Sequence, residues 1–212
     1  MLSRTISETI FERLCSACSV SCDAIAAGRD RTPDFAICLD GVRVVCEVKQ
    51  IDPNAEDLAE VEIVNGGEEI GRLVTNRLRE KLKNVSAQLK AASLAGHPTL
   101  LVVYDNTPLK AYTDHFDVIQ AMFGGHSVTV SFPADAGCLP LVSKPFFGGN
   151  RGLTPNHNTS VSALAILDGG PIPQPTLRVY HNPYASLILP PEILGVFSVT
   201  QKLLPGATNV AL

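Results

Sequence analysis

Residues 33–50 read PDFAICLDGVRVVCEVKQ, and their pattern decides the fold. Asp40-Gly41 stands between two apolar runs, and this dipeptide takes the left-handed conformations that a two-residue hairpin turn requires. Two antiparallel strands follow as an expectation, over 34–39 and 42–50. Side chains two apart on a strand share a face. Glu47 and Lys49 therefore project together with Val45, while Val44, Cys46 and Val48 project the other way. Asp34 is expected at the open end of the same hairpin, opposite Lys49 or close to it.

Two carboxylates and one ammonium thus converge on a hairpin whose other residues are mostly apolar. Such a cluster is costly unless something compensates it. Two carboxylates and a main-chain carbonyl make a partial shell for Mg²⁺, which keeps its remaining positions for water and phosphate oxygens. A lysine beside them can orient or deprotonate the attacking water and offset negative charge on a phosphoryl group. The chemistry implied is phosphodiester hydrolysis.

Asp34 after Pro33, then twelve residues, then Glu47-Val48-Lys49-Gln50, resembles the signature of the PD-(D/E)xK, or restriction-endonuclease-like, nucleases. The resemblance covers about residues 5–104. It implies that Asp34, Glu47 and Lys49 are catalytic, with Asp34, Glu47 and the Val48 carbonyl ligating Mg²⁺ (Mn²⁺ as a possible substitute). It also implies an acid from the first helix, for which Glu12 is preferred over Glu8. Gln50, Lys81 and Gln88 are the candidates for contacts to substrate. The Q-x-x-x-Y signature of one subgroup is not met, because Ala92 follows Gln88 at that interval. The partner implied is nucleic acid, DNA favoured over RNA. The alternative is an inactive protein of this fold that binds nucleic acid or another protein.

Outward from the hairpin, apolar residues at three- and four-residue spacing predict a helix over 5–19, with Thr5 and Glu8 as a capping box. Cys15, Cys18 and Cys22 fall on one face of such a helix, which suits core packing better than a metal cluster. The stretch 52–69 holds seven acids and no Lys or Arg, and reads as an inserted loop or flap. A helix is expected over 71–94, carrying six cations from Arg72 to Lys90 against Glu80 alone. Thr99–Tyr104 is continuously apolar, the mark of a strand buried on both faces.

The second half predicts a helix at 114–123, a strand at 126–132, a long surface loop over 133–158, and strands at 161–167 and 177–180. The loop segments around His157 and His181 read as turns before any role in binding. The fold class expected is α/β: a restriction-endonuclease-like core with a mixed central sheet flanked by helices, plus a C-terminal β-containing elaboration. One domain is expected over 1–212, with 1–105 the nuclease-like core and 106–212 the elaboration.

Composition limits the alternatives. A 45% hydrophobic, 18% charged chain of 212 residues can bury a substantial core. A net charge of −4 argues against coating nucleic acid by bulk electrostatics, but not against a local grip. No apolar run is long enough to span a membrane, so no membrane association is expected. The first residues lack a signal-peptide core, and the six cysteines read as reduced thiols, so the expected location is the cytoplasm.

Overall fold

The computed structural model describes residues 4–26, 32–67, 76–132, 139–144, 146–169, 174–197 and 199–203. The first helix, α1 (Ile6–Ala17), starts at the capping box that the sequence predicts: Thr5 accepts from the Glu8 N–H and Glu8 accepts from the Thr5 N–H. The chain then reverses just past Cys18. Ser19 takes a positive φ of 57°, and the Val20 N–H donates back to the Cys15 carbonyl. That reversal starts a strand the sequence did not suggest, β1 (Cys22–Ala24). Cys22 therefore lies on a strand and not on the helix, yet it packs with Cys15 and Cys18 against the same apolar core.

The hairpin is as expected. β2 (Phe35–Leu39) and β3 (Val42–Ile51) pair antiparallel from Leu39↔Val42 to Phe35↔Cys46. Asp40 and Gly41 both have positive φ, 48° and 79°, the type I′ turn that matches strand twist.

Within its described residues, 52–67, the acidic stretch is mostly helix. Residues Ala55–Asn65 form α2, started by a second capping box in which Asn54 accepts from the Asp57 N–H and Asp57 accepts from the Asn54 N–H. The charge run hid an Asn-x-x-Asp signal that satisfies two otherwise orphaned N–H groups. The long basic helix is likewise two helices, α3 (Arg77–Asn84) and α4 (Ser86–Leu94), interrupted at Val85. Asn84, Val85 and Ser86 are all weak helix formers, and Leu78, Leu82, Val85 and Leu89, at the spacing of a single helix face, are all buried across the interruption. The expected start of that helix, with Arg72, lies outside the described residues.

β4 (Thr99–Asp105) is buried along its whole length and runs parallel to β3. After α5 (His115–Phe123) comes a correction to the expected strand at 126–132 and the expected loop behind it. Four short strands, β5 (His126–Ser127), β6 (Val130–Ser131), β7 (Leu141–Val142) and β8 (Phe146–Phe147), pair into two small ribbons apart from the main sheet. β9 (Ala163–Asp168), β10 (Thr176–His181) and, after a 3₁₀ turn at Pro191–Phe197, β11 (Thr200–Lys202) then return to it.

The result is a seven-stranded mixed sheet in the order β1-β2-β3-β4-β9-β10-β11. α1 and the 3₁₀ turn cover one face, and α3, α4 and α5 cover the other. The fold is α/β with a mixed central sheet flanked by helices. The second half builds into it: β9 pairs with β4 in the middle of the sheet, and the hydrophobic clusters on both faces draw residues from either side of residue 105. Among the described residues no helix is long and apolar enough to cross a membrane.

Candidate active site

β3 is longer than its partner β2, and that mismatch makes the site. The ladder ends at Phe35↔Cys46, with a last backbone bond from the Asp34 N–H to the Cys46 carbonyl at 3.2 Å. Continued by one residue, this register sets Asp34 against Glu47, two positions from the Lys49 alignment that the sequence suggested. Directly opposed residues of a ladder share a face, so Asp34, Glu47 and Lys49 all project to the α3–α4 side. Where β2 no longer supplies a partner, the Asp34 Oδ2 accepts from the Val48 N–H at 2.7 Å. A strand residue directs its N–H and C=O to the same side, so the Val48 carbonyl also faces the edge that β2 vacates.

Glu47 is fully buried. Its Oε1 accepts from Lys49 Nζ and, at 2.5 Å, from Gln88 Nε2 on α4. No donor reaches its Oε2, which is one of four buried polar side-chain atoms without a partner among the described residues. Asp34 closes the arrangement, near enough to Glu47 for the two carboxyls to share a hydrogen bond. Burial first and the Asp34 charge second raise the Glu47 carboxyl from an ordinary 4.5 to about 7, with Lys49 and Gln88 only partly offsetting them. Burial also raises Asp34, against the Val48 N–H and Lys49, which lower it; Glu8 adds to the rise. Two adjacent carboxylates cannot both ionise without a cation or a shared proton.

The remaining sequence candidates separate. Gln88 is in the site, touching Glu47 itself. Glu12 is turned away: it pairs with Arg4, and its charge is felt at Cys22. Glu8, which caps α1 by accepting from the Thr5 N–H, is the α1 acid whose charge is felt at Asp34, but it does not gather with Asp34 and Glu47 into a three-ligand group. Helix phase does not reveal the tether of α1: Gln50 Oε1 accepts from the Ser7 N–H at 2.9 Å, laying the first turn of α1 over the end of β3. Gln50 is thereby committed to α1 and to Asp52, on the opposite face from Glu47. Lys81 stands half-exposed on α3, and no hydrogen bond or ion pair among the described residues joins it to Asp34 or Glu47.

The basic tract is thinner than its composition suggests. Arg77 donates to Asp57 at 2.6 Å and to the Asp52 carbonyl, and lies 4.6 Å from the centre of the Tyr112 ring. Arg79 is buried and bonded to Asn76. Both arginines are turned inward, which leaves Lys81, Lys83 and Lys90 as the tract's solvent-facing cations among the described residues.

A divalent metal is tested by its donor set. The Glu47 Oε2 is buried with no donor, Asp34 is beside it, and the Val48 carbonyl faces the same edge. Among the described residues no three His, Cys, Asp or Glu side chains gather into a ready-made cage. Mg²⁺ needs no such cage, because it is commonly held by one or two carboxylates and keeps several waters. The residues fit it. No protein-family model, curated protein or solved structure matches the chain.

Proposed function

We propose that Asp34, Glu47 and Lys49 form a Mg²⁺-dependent phosphodiester-hydrolysing centre acting on nucleic acid, in a chain of the PD-(D/E)xK type. DNA is the polymer favoured by that resemblance, and Mn²⁺ is a possible substitute for Mg²⁺. The observation that carries the reading is Glu47: a carboxylate with no exposed surface, one oxygen without a donor, and a second carboxylate against it. A stability role alone gives no reason to leave that oxygen bare.

Asp34, Glu47 and the Val48 carbonyl would hold the metal, which when bound supplies positive charge for a phosphoryl oxygen and makes its water more acidic. The chain's own residues do the rest. Gln88 and Lys49 fix Glu47 through Oε1, which leaves Oε2 without a donor. The Val48 N–H fixes Asp34 in the same way. Where Glu47 is closed off, half-buried Asp34 stays open to solvent, and so does Lys49, 27% exposed at its side chain. Its ammonium orients the attacking water and faces the negative charge of the phosphate.

The test is cleavage of plasmid, single-stranded DNA and RNA with Mg²⁺ or Mn²⁺. Metal-dependent nicking or cutting is expected, lost in Asp34→Ala and Lys49→Ala. Activity unchanged in both variants sinks the proposal. Metal-linked stabilisation without cleavage of any polymer would favour the second reading, an inactive protein of this fold that binds nucleic acid or a protein.

A further inference from the structure

Cys15 and Cys22 are seven positions apart in the chain, and on a continuous helix that spacing separates two residues by about 10.5 Å along the axis. The fold brings them together instead. α1 ends at Ala17, Ser19 takes its positive φ, and the Val20 N–H returns to the Cys15 carbonyl at 2.8 Å. Cys22 then opens β1 beside the last turn of α1. The two thiols are near enough to share a hydrogen bond, with Cys15 as donor and Cys22 as acceptor.

The pair is asymmetric. Cys15 is fully buried, whereas Cys22 is partly exposed. The bond from Cys15 makes the Cys22 thiol more acidic than an ordinary cysteine; Arg4 adds to this, and burial, Glu12 and Asp23 oppose it. The same bond, with burial, moves Cys15 in the other direction. The thiolate is the nucleophilic form of cysteine, and a partly exposed one beside a second thiol is poised to be oxidised and then resolved. Packing alone explains a small apolar side chain at Cys15, but not a solvent-reached thiol bonded to it. Among the described residues no three His, Cys, Asp or Glu side chains gather into a group that could hold a metal, so the chemistry left to the pair is that of two thiols.

We propose that Cys15 and Cys22 form a peroxide-sensitive dithiol, which oxidation closes into a disulfide between the last turn of α1 and β1. The Cys22 thiolate attacks one oxygen of hydrogen peroxide and becomes a sulfenic acid; the hydroxide released takes up a proton and leaves as water. The Cys15 sulfur then attacks the Cys22 sulfur, and its proton joins the departing hydroxide as a second water. Two thiols and one peroxide thus give one disulfide and two waters. β1 pairs with β2, and the Ile25 N–H just past β1 donates to the Asp34 carbonyl at 2.9 Å. The bridge therefore fastens α1 to the strand that supports the Asp34 backbone, and it stands whether or not the Asp34–Glu47 centre cuts.

Peroxide treatment of the folded full-length chain, followed by alkylation and tryptic digestion, tests it. Cys15, Cys18 and Cys22 share the peptide 14–29. With roughly one equivalent of peroxide, that peptide should carry a single alkyl label, at Cys18, and a thiol reductant should restore all three. Cys18→Ser should still close the bridge, and Cys22→Ser should not. In Cys15→Ala a sulfenic-acid trap should label Cys22. Cys38, exposed on β2, is the internal control and should react about tenfold more slowly. Three labels on the peroxide-treated wild-type peptide overturn the proposal, and that result decides it even where Cys15→Ala fails to fold. So does a bridge that uses Cys18, or oxidation of Cys38 ahead of the pair.

Discussion

Asp57 and Glu47 are both buried carboxylates, close in sequence around the end of β3, and the chain treats them in opposite ways. Burial pushes Asp57 up, but hydrogen bonds from the Tyr112 hydroxyl, the Asn54–Asp57 cap and Arg77 outweigh it and hold its carboxyl below the ordinary 3.8. Glu47 has two donors on one oxygen, none on the other, and Asp34 as a neighbour, so burial wins and its carboxyl rises to about 7. The first acid fastens α2 and α3 to the loop before α5. The second is left short of donors at the one place where a second carboxylate and a lysine share its face. Satisfaction, more than burial, separates a structural acid from a reactive one.

The sharpest break between the two acids is Glu47→Gln. Cleavage should fall by about 10³-fold or more, as when a group acting directly on the transition state is removed, while the metal-free fold at pH 8 should be no less stable. Plasmid cleavage rates and denaturant unfolding in a chelator measure both. A variant that unfolds more easily than wild type would move Glu47 into the structural class with Asp57.

Asp57→Ala should do the reverse. Removing one member of a buried ion pair costs roughly 3–5 kcal/mol, seen as a lower denaturant midpoint, and activity per folded molecule should change little. A loss of activity beyond the unfolded fraction would mean that α2 belongs to the site.

The pH dependence separates the acids by sign. Because Glu47 is raised, its contribution to metal-free stability is fully present below its ordinary 4.5 and is lost as pH rises through about 7, a change of about 3 kcal/mol. Asp57 is depressed, so its contribution is present above its ordinary 3.8 and is lost as pH falls further. Unfolding free energy measured in chelator from pH 5 to 8 should decline in wild type and flatten in Glu47→Gln. Stabilisation by added Mg²⁺ should grow over the same window, since binding displaces the Glu47 proton. A flat wild-type profile would mean that Lys49 alone keeps Glu47 ionised.

The smallest effect is expected at the cap of α2. Asn54→Ala removes the acceptor for the Asp57 N–H but leaves Arg77 and Tyr112 on the Asp57 carboxylate, so a cost of about 1 kcal/mol is expected. A cost as large as that of Asp57→Ala would place the strength of the cluster in its cap.

The hairpin, the face shared by Glu47 and Lys49, the capped start of α1 and the buried strand β4 were legible in the sequence. Each rests on a local rule: turn chemistry at Asp40-Gly41, the two-residue period of a strand, a capping box, an unbroken apolar run. Local rules also exist for α2, yet the density of acids there outweighed the Asn54-Asp57 cap. The tertiary structure alone decided the rest. The Asp34 position depends on where β2 stops pairing, and the α1 acid whose charge is felt at Asp34 is Glu8, while Glu12 pairs with Arg4. Arg77 and Arg79 turn inward, toward partners 20 and 3 residues away. β9 begins only at Ala163, yet it enters the centre of the sheet beside β4, which ends at Asp105. Most of these are contacts between segments far apart in the chain, and their choice follows from how the whole core packs, which no short window of sequence contains.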